Sequence, residues 1–288
     1  FGCATKKEGK LYLHVTSWPE NGKLLVPSIK NKINSVSVLG QSGDLSYVSG
    51  EGFILIELPG EQVNEYDSVI VLDVDGTPEE SEHSYLSDNL AKGKPAAATN
   101  VYFNDAQYDA SKAVDGNAST RWATDDTVRS AALEINLGKD TVFNMVVVNE
   151  CITWGQRVGK FTVEYWDGSS WKAAASAEGM GANKTLYFEP VTSSKIRINI
   201  LGLLEGVTNG PSIWEVQVYN IDEMANSIMK GDVDFDGKVT VSDVVKLRSL
   251  IMSGKATEAE RKAGDLDNDG TLTVSDVVAL RSDIIKGK

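Results

Sequence analysis

Residues 231–249 are written a second time at 264–282, and this repeat limits the fold more than any other feature of the chain. Gly231-Asp232-Val233-Asp234-Phe235-Asp236-Gly237 returns 33 residues later as Gly264-Asp265-Leu266-Asp267-Asn268-Asp269-Gly270. Thr240, Ser242 and Asp243 return as Thr273, Ser275 and Asp276. A repeat in such close register dictates two copies of one supersecondary unit. In each, an acidic turn runs into a helix whose apolar stripe is Val244, Leu247 and Ile251, or Val277, Leu280 and Ile284.

Counted from Asp232 and Asp265, carboxylates fall at loop positions 1, 3, 5 and 12 and glycine at 6. Alternate residues of a tight loop point inward, and a calcium-sized cation takes about six to eight oxygens at roughly 2.3–2.6 Å. The expected donors are the carboxylates of Asp232, Asp234, Asp236, Asp265, Asp267 and Asp269 and the backbone carbonyls of Lys238 and Thr271. Thr240 and Thr273 would act through water, and Asp243 and Asp276 would close the shell from the first helical turn. Gly237 and Gly270 permit the bend that a Cβ resists. Without a cation the carboxylates repel one another, so poor loop order without metal is expected. One such loop alone could be an acidic turn capping a helix; two in register are a metal pattern.

This is the calcium-loop spacing of an EF-hand, with Asp in place of Glu at position 12 and no obvious helix leading into either loop. Half-hands in tandem resemble a type I dockerin, over residues 230–285. The resemblance implies two calcium ions and a partner, a cohesin module on a scaffolding protein, as in the cellulosomes of anaerobic bacteria. It places the cohesin contacts at Val241, Ser242, Arg248 and Ser249 and their copies Val274, Ser275, Arg281 and Ser282. The alternative for these residues is a solvated helix face. Because the surface is duplicated, either copy could bind.

The formal net charge is −13, which argues against nucleic acid as a partner. Residues 230–288 hold ten basic and eleven acidic residues, so nearly all of that charge belongs to the rest of the chain. No apolar run approaches the ~20 residues of a membrane span. The chain opens Phe1-Gly2-Cys3, without Met or a signal peptide, and is expected to be processed or a fragment. Cys3 and Cys151 are expected to be buried free thiols. Calcium loading points to a secreted, extracellular protein.

Residues 1–76 read as short strands. Runs at 10–16, 33–39, 53–58 and 68–74 are rich in Val, Ile and Leu and punctuated by Gly, Asn and Pro, which predicts a small β-sandwich. Leu11-Tyr12-Leu13-His14-Val15, Trp18-Pro19, Gly22-Lys23-Leu24, Ile56-Glu57-Leu58-Pro59 and Val69-Ile70-Val71-Leu72 resemble the C-terminal β-sandwich of a glycoside hydrolase family 29 α-L-fucosidase. Gly2-Cys3-Ala4-Thr5 resembles the stretch that joins barrel to sandwich in that family. There the catalytic carboxylates sit in the preceding barrel. Retaining hydrolysis needs two carboxyls about 5–5.5 Å apart, and residues 1–76 offer no such site, so no catalytic residue is assigned. Residues 77–87, polar and acidic and including His83, read as a linker, and residues 221–229 as a second one.

Residues 88–220 predict a jelly-roll sandwich, with strands at 133–137, 143–148, 161–166, 196–200 and 216–219. Ala113-Val114-Asp115-Gly116-Asn117-Ala118-Ser119-Thr120-Arg121-Trp122 and Pro211-Ser212-Ile213-Trp214-Glu215-Val216 resemble a discoidin-type module, a group that includes the family 32 carbohydrate-binding modules. The resemblance implies one structural calcium held by backbone oxygens of Lys112 and Asn117, the Asp115 and Glu215 carboxylates, and Thr120. An Asp-Gly turn with a surface Glu is the alternative.

Sugar binding needs an aromatic face and a few polar groups. The loop residues Trp154, Arg157, Tyr102, Asn104 and Glu150 are the candidates, with Tyr108, Asp125, Arg129, Gln156, Glu205 and Asn209 around them. Trp154, on a loop between Thr153 and Gly155, is the expected platform, whereas Trp122, Trp166 and Trp171 are expected in or beside the core. The whole reads as a mainly β chain with a small α module at its end. It would be the ancillary part of a secreted α-L-fucosidase that binds fucosylated or galactose-containing glycans and anchors to a scaffold. A non-catalytic adhesin, or the tail of a different glycosidase, is the alternative.

Overall fold

The computed structural model describes all residues except 1, 17, 20, 21, 51, 82, 83, 222–228, 236, 237, 257, 287 and 288. The expectations for His83, Asp236, Gly237 and most of the 221–229 linker therefore lie outside the described residues. The fold is mainly β, with helices at the C-terminal end. One compact unit consists essentially of residues 88–221; the other joins 2–18 and 22–87 to the C-terminal part.

In the second of these units, seven strands form two antiparallel sheets. They are β1 (Gly2–Lys7), β2 (Lys10–Val15), β3 (Lys23–Pro27), β4 (Ile33–Val38), β5 (Tyr47–Gly50), β6 (Phe53–Glu57) and β7 (Ser68–Val74). One sheet has the order β1-β2-β7-β4 and the other β3-β6-β5. Strand β2 turns Leu13 and Val15 inward, and β7 contributes Ile70, Leu72 and Val74. Phe53, Ile54, Leu55 and Ile56 are all buried, because β6 is a central strand covered on both faces. Strand β1 is exposed throughout, and Cys3 with it. The expectation of two buried thiols is thus corrected: Cys151 is enclosed, whereas Cys3 sits on an open edge strand.

The stretch 77–87, expected as a linker, lies against this sandwich where it is described. Lys30 N donates to Glu79 O at 2.9 Å, Ser81 N to Ser28 O at 3.3 Å, and Tyr85 N to Gly52 O at 2.8 Å. Tyr85 is buried. The buried Tyr85 ring and these backbone hydrogen bonds hold the stretch in spite of its polar composition.

The C-terminal module holds α1 (Val241–Ser253), α2 (Glu258–Gly264) and α3 (Val274–Lys286). Val244, Leu247 and Leu250 pack with Val277, Leu280, Val233 and Ala263, and Ile251 and Ile284 border them. Helix α2 corrects the expectation that no helix leads into either loop: its last residue directly precedes Asp265. Two loop residues contact the N-terminal sandwich. The Phe235 ring meets Tyr47 edge-on at 6.3 Å, and Lys32 Nζ lies 3.9 Å from Asp234 Oδ2. Burial pushes the Tyr47 phenol up to about 12, and the charges of Glu260, Asp234 and Asp232 act in the same direction.

The other unit is one continuous sheet folded into two layers. Its strands are β8 (Ala96–Ala98), β9 (Trp122–Ala123), β10 (Ala131–Glu150), β11 (Val158–Trp166), β12 (Trp171–Glu178), β13 (Lys184–Leu203) and β14 (Ser212–Tyr219). Strands β10 and β13 are 20 residues each and run through both layers. The first half of β10 pairs with β8 and β13, and its second half with β13 and β14. Register shifts between Asn136 and Thr141 and between Phe143 and Met145 mark the fold-over. Leu133, Ile135 and Leu137 from one half and Phe143, Val146 and Val148 from the other enter a single core, with Trp122 at 0% exposure. Trp166 and Trp171 meet edge-on at 5.5 Å at its margin, with Arg197 4.4 Å from the Trp171 ring.

Candidate functional site

The two acidic loops are built alike. Thr240 caps α1 and Asp243 completes a capping box. The Asp243 side chain is fully buried: Oδ2 accepts from Thr240 N at 2.7 Å, and Oδ1 from Val233 N and Asp234 N at 2.8 and 3.1 Å. Asp276 repeats this with Thr273 N, Leu266 N and Asp267 N at 2.8, 2.8 and 3.4 Å. The closing aspartate therefore shapes the loop through backbone amides as well as facing its interior. Gly231 N donates to Ala263 O and Lys230 Nζ to Asp265 O, which ties the start of one loop to the start of the other.

Among the described residues, Asp232, Asp234 and Asp243 bring carboxylate oxygens within 4.8 Å of one another, as do Asp265, Asp267 and Asp269. Asp234 Oδ1 is buried without a hydrogen-bond partner. An orphaned carboxylate oxygen is costly unless a cation satisfies it, and a hard cation fits this all-oxygen donor set. Lys238 and Thr271 occupy position 7, beside the clusters in the chain.

Helices α1 and α3 carry mirrored exposed stripes. Val241, Ser242, Arg248 and Ser249 are exposed on the first, and Val274, Ser275 and Arg281 on the second, with Ser282 half-buried. Sequence reasoning missed four members: Val245 and Met252 on α1, and Val278 and Ile285 on α3, which are 62–88% exposed. The signal was present, since these apolar residues continue the face of Val241 and Val274 at helical spacing and match under the 33-residue shift. Val245, Arg248, Ser249, Met252 and Ser253 line a shallow depression.

In the sandwich module the structure gathers most of the expected calcium ligands. Thr120 Oγ1 donates to the Asp115 carboxylate at 2.8–2.9 Å, and Asn117 N donates to Asp115 Oδ1 at 3.0 Å. Gly116 N lies 3.2–3.3 Å from both oxygens of Glu215, which reaches in from β14. Burial pushes Glu215 up to about 7; the Gly116 amide opposes this and the Asp115 charge adds to it. Lys112 lies in the short helical turn Ala110–Ala113 just before them.

The expected sugar residues separate into two groups. Trp154 stands on the turn closed by Gly155 N to Ile152 O and is 61% exposed. The Arg121 guanidinium lies 4.9 Å from the Trp154 ring and equally far from the Tyr108 ring. Tyr108 meets Tyr102 at 5.3 Å, and Tyr102 meets Phe103 at 4.6 Å. These residues form one band along the loops. Arg121 and Phe103, the latter 77% exposed, were not singled out as binding residues in the sequence. Phe103 and Asn104 have φ of 48° and 53°, a strained setting for a bulky side chain. Asp125 holds the turn by accepting from Phe103 N and Asn100 Nδ2, bonds that keep it below the usual carboxylate range.

Glu150 and Arg157 belong to the other group and are enclosed rather than open to a ligand. Glu150 is 0% exposed and accepts from the backbone N–H groups of Arg157, Val158 and Gly181 at 2.6–3.0 Å. Burial pushes Glu150 up and these amides pull against it. Arg157 donates to Gly210 O and Cys151 O at 2.9 and 3.0 Å, and its guanidinium lies 5.9 Å from the Trp154 ring. The expectation that both touch sugar gives way to a positioning role. Their charges are spent on the backbone that carries Trp154. Arg129 is similarly tied to Asp126, Val128 and Thr208 carbonyls.

Residues 112–198 match the family model described as NedA-like, galactose-binding domain, and residues 230–284 match that of the dockerin type I domain. No curated protein matches the chain. Among solved structures, chitosan-binding module 1 of a chitosanase/glucanase from Paenibacillus sp. IK-5 is 28% identical, over 46% of this chain and 98% of that one, with a TM-score of 0.41. The GH29 fucosidase E1_10125 of Ruminococcus gnavus, in complex with fucose, is 32% identical over 46% of this chain, with a TM-score of 0.42; the match spans 26% of that enzyme. The family 32 carbohydrate-binding module of C. perfringens NanJ, in complex with galactose, is 26% identical over 44% of this chain and 94% of that one, with a TM-score of 0.39. By the two family matches, the chain carries a galactose-binding-type module and a type I dockerin. Type I dockerins bind calcium, and the two aspartate clusters are groups that could hold it.

Two outcomes are expected. Changing Asp232 and Asp265 together to Ala should abolish calcium-induced helicity in circular dichroism, and retained helicity would rule out these loops as the metal sites. Glu150→Gln should lower the stability of the sandwich module by about 1–3 kcal/mol in urea unfolding, because one amide acceptor is lost in a buried site; a neutral result would show that the amides find other partners.

Proposed function

We propose that the chain is the ancillary part of a secreted, scaffold-bound α-L-fucosidase. The middle module holds a glycan bearing fucose or galactose, and the dockerin fixes the protein to a cohesin. The observation that carries this reading is the pairing, in one chain, of an exposed aromatic platform with a duplicated aspartate loop. The first sits in a galactose-binding-type module and the second in a dockerin.

Trp154 would stack on the apolar face of a sugar ring, with Tyr102, Tyr108 and Asn104 beside it and Arg121 at hand for ring hydroxyls. Asp115, Asn117, Thr120 and Glu215, with the carbonyl of Lys112, would hold a third calcium that ties the first loops of the module to its last strand. The mirrored stripes of α1 and α3 would each meet cohesin. The fucosidase reading rests on the resemblance of residues 1–76, whose seven strands form two antiparallel sheets. Sugar and scaffold contacts both raise local concentration, and two linked weak sites multiply in effect.

Trp154→Ala should remove binding to fucose- and galactose-terminated glycans, read by isothermal titration, while the module's unfolding transition stays in place. Unchanged affinity would move the sugar site elsewhere. Wild-type protein that ignores both sugars would exclude the substrate class.

A further inference from the structure

The two metal loops are nearly the same in sequence, yet the structure sets them in different surroundings. At loop position 1 Asp232 is buried whereas Asp265 is half-exposed, and at position 3 the Asp234 side chain is only 8% exposed whereas Asp267 is exposed; the closing Asp243 and Asp276 are buried in both copies. The two copies also differ in residue type at loop position 4. There the backbone adopts positive φ in both copies, 57° at Phe235 and 60° at Asn268. Asn tolerates that region, whereas a bulky aromatic side chain does so at a cost. The second copy has the residue its backbone prefers. The first copy keeps a strained Phe, and its ring lies against Tyr47 of β5, whose hydroxyl is tied to Ile33 O at 3.2 Å. One residue earlier in the loop, Asp234 faces Lys32 of the same sandwich.

From this we infer that the first metal loop is docked on the N-terminal sandwich through Phe235 on Tyr47 and Asp234 on Lys32. Metal in that loop then also fastens the C-terminal module to the sandwich, while the second loop loads in the open. The inference rests on the calcium reading of both loops. It adds that near-equal sequences serve unequal ends: one site braces the chain internally, and the other lies open to solvent at Asp267 and Asp269. Docking at the loop leaves Val241 and Val274 at 67% and 69% exposure, so both helix faces stay available.

Terbium, a hard cation that takes oxygen ligands, tests this in the full chain. Residues 230–288 contain neither Tyr nor Trp, so terbium in these loops emits under tyrosine excitation only if another part of the protein lies close. The emission lost on changing Asp232 and Asp234 to Ala defines the first-loop component. Tyr47→Phe, which keeps the ring, should remove most of that component while terbium stoichiometry by titration is unchanged. Phe235→Asn should do the same. A first-loop component that survives Tyr47→Phe overturns the docking. If the Asp232 and Asp234 changes remove neither emission nor a bound ion, the metal reading of this loop fails and the docking with it.

Discussion

At the loops that carry the candidate sites, clusters of backbone N–H groups are met by carboxylates. Glu150 takes three of them, and Asp243 and Asp276 take three each. Asp125 holds a strained turn by one such bond, and Asp167 accepts from Ser169 N and Ser170 N at 2.8 Å, which holds it far below the usual carboxylate range. A buried amide without a partner is costly, and an ionised acceptor makes a stronger bond than a carbonyl does. The loops that matter here are therefore ordered by the same chemistry that lets loops hold cations. A carboxylate oxygen that accepts an amide of its own loop keeps a lone pair that a metal can use.

That economy explains why the strands were readable and the site was only partly so. The strand at 68–74 announced itself by its run of Val, Ile and Leu, that at 196–200 by alternation, and the helix stripe at Val244 and Leu247 by its spacing. Strand β10 reads as two short runs because Gly138-Lys139-Asp140 interrupts the pattern, yet the chain continues through a bulge into the second layer. Strand β1 has no buried side and so no pattern; pairing with β2 alone makes it a strand. Helix α2 has only seven residues, but Glu258 to Ala263 are all strong helix formers, so its signal lay in propensity rather than in an apolar stripe.

The site residues divide in the same way. The aspartates were legible because a metal loop fixes both residue type and spacing. Glu150 and Arg157 were misleading because a charged residue on a loop looks the same whether it faces solvent or backbone. Phe103 was invisible as a surface feature, since its exposure comes from positive φ at two successive residues, held by Asp125 from 22 residues downstream. No local pattern encodes that.

One further consequence belongs to the ends of the sandwich module. Leu90 N donates to Val218 O at 2.9 Å, and the Asn89 side chain accepts from Val218 N at 2.9 Å and from Ala91 N at 3.0 Å. The chain thus enters and leaves this module at neighbouring points. Drawing the two ends apart would have to break that small clasp before any strain reached the core behind Trp122.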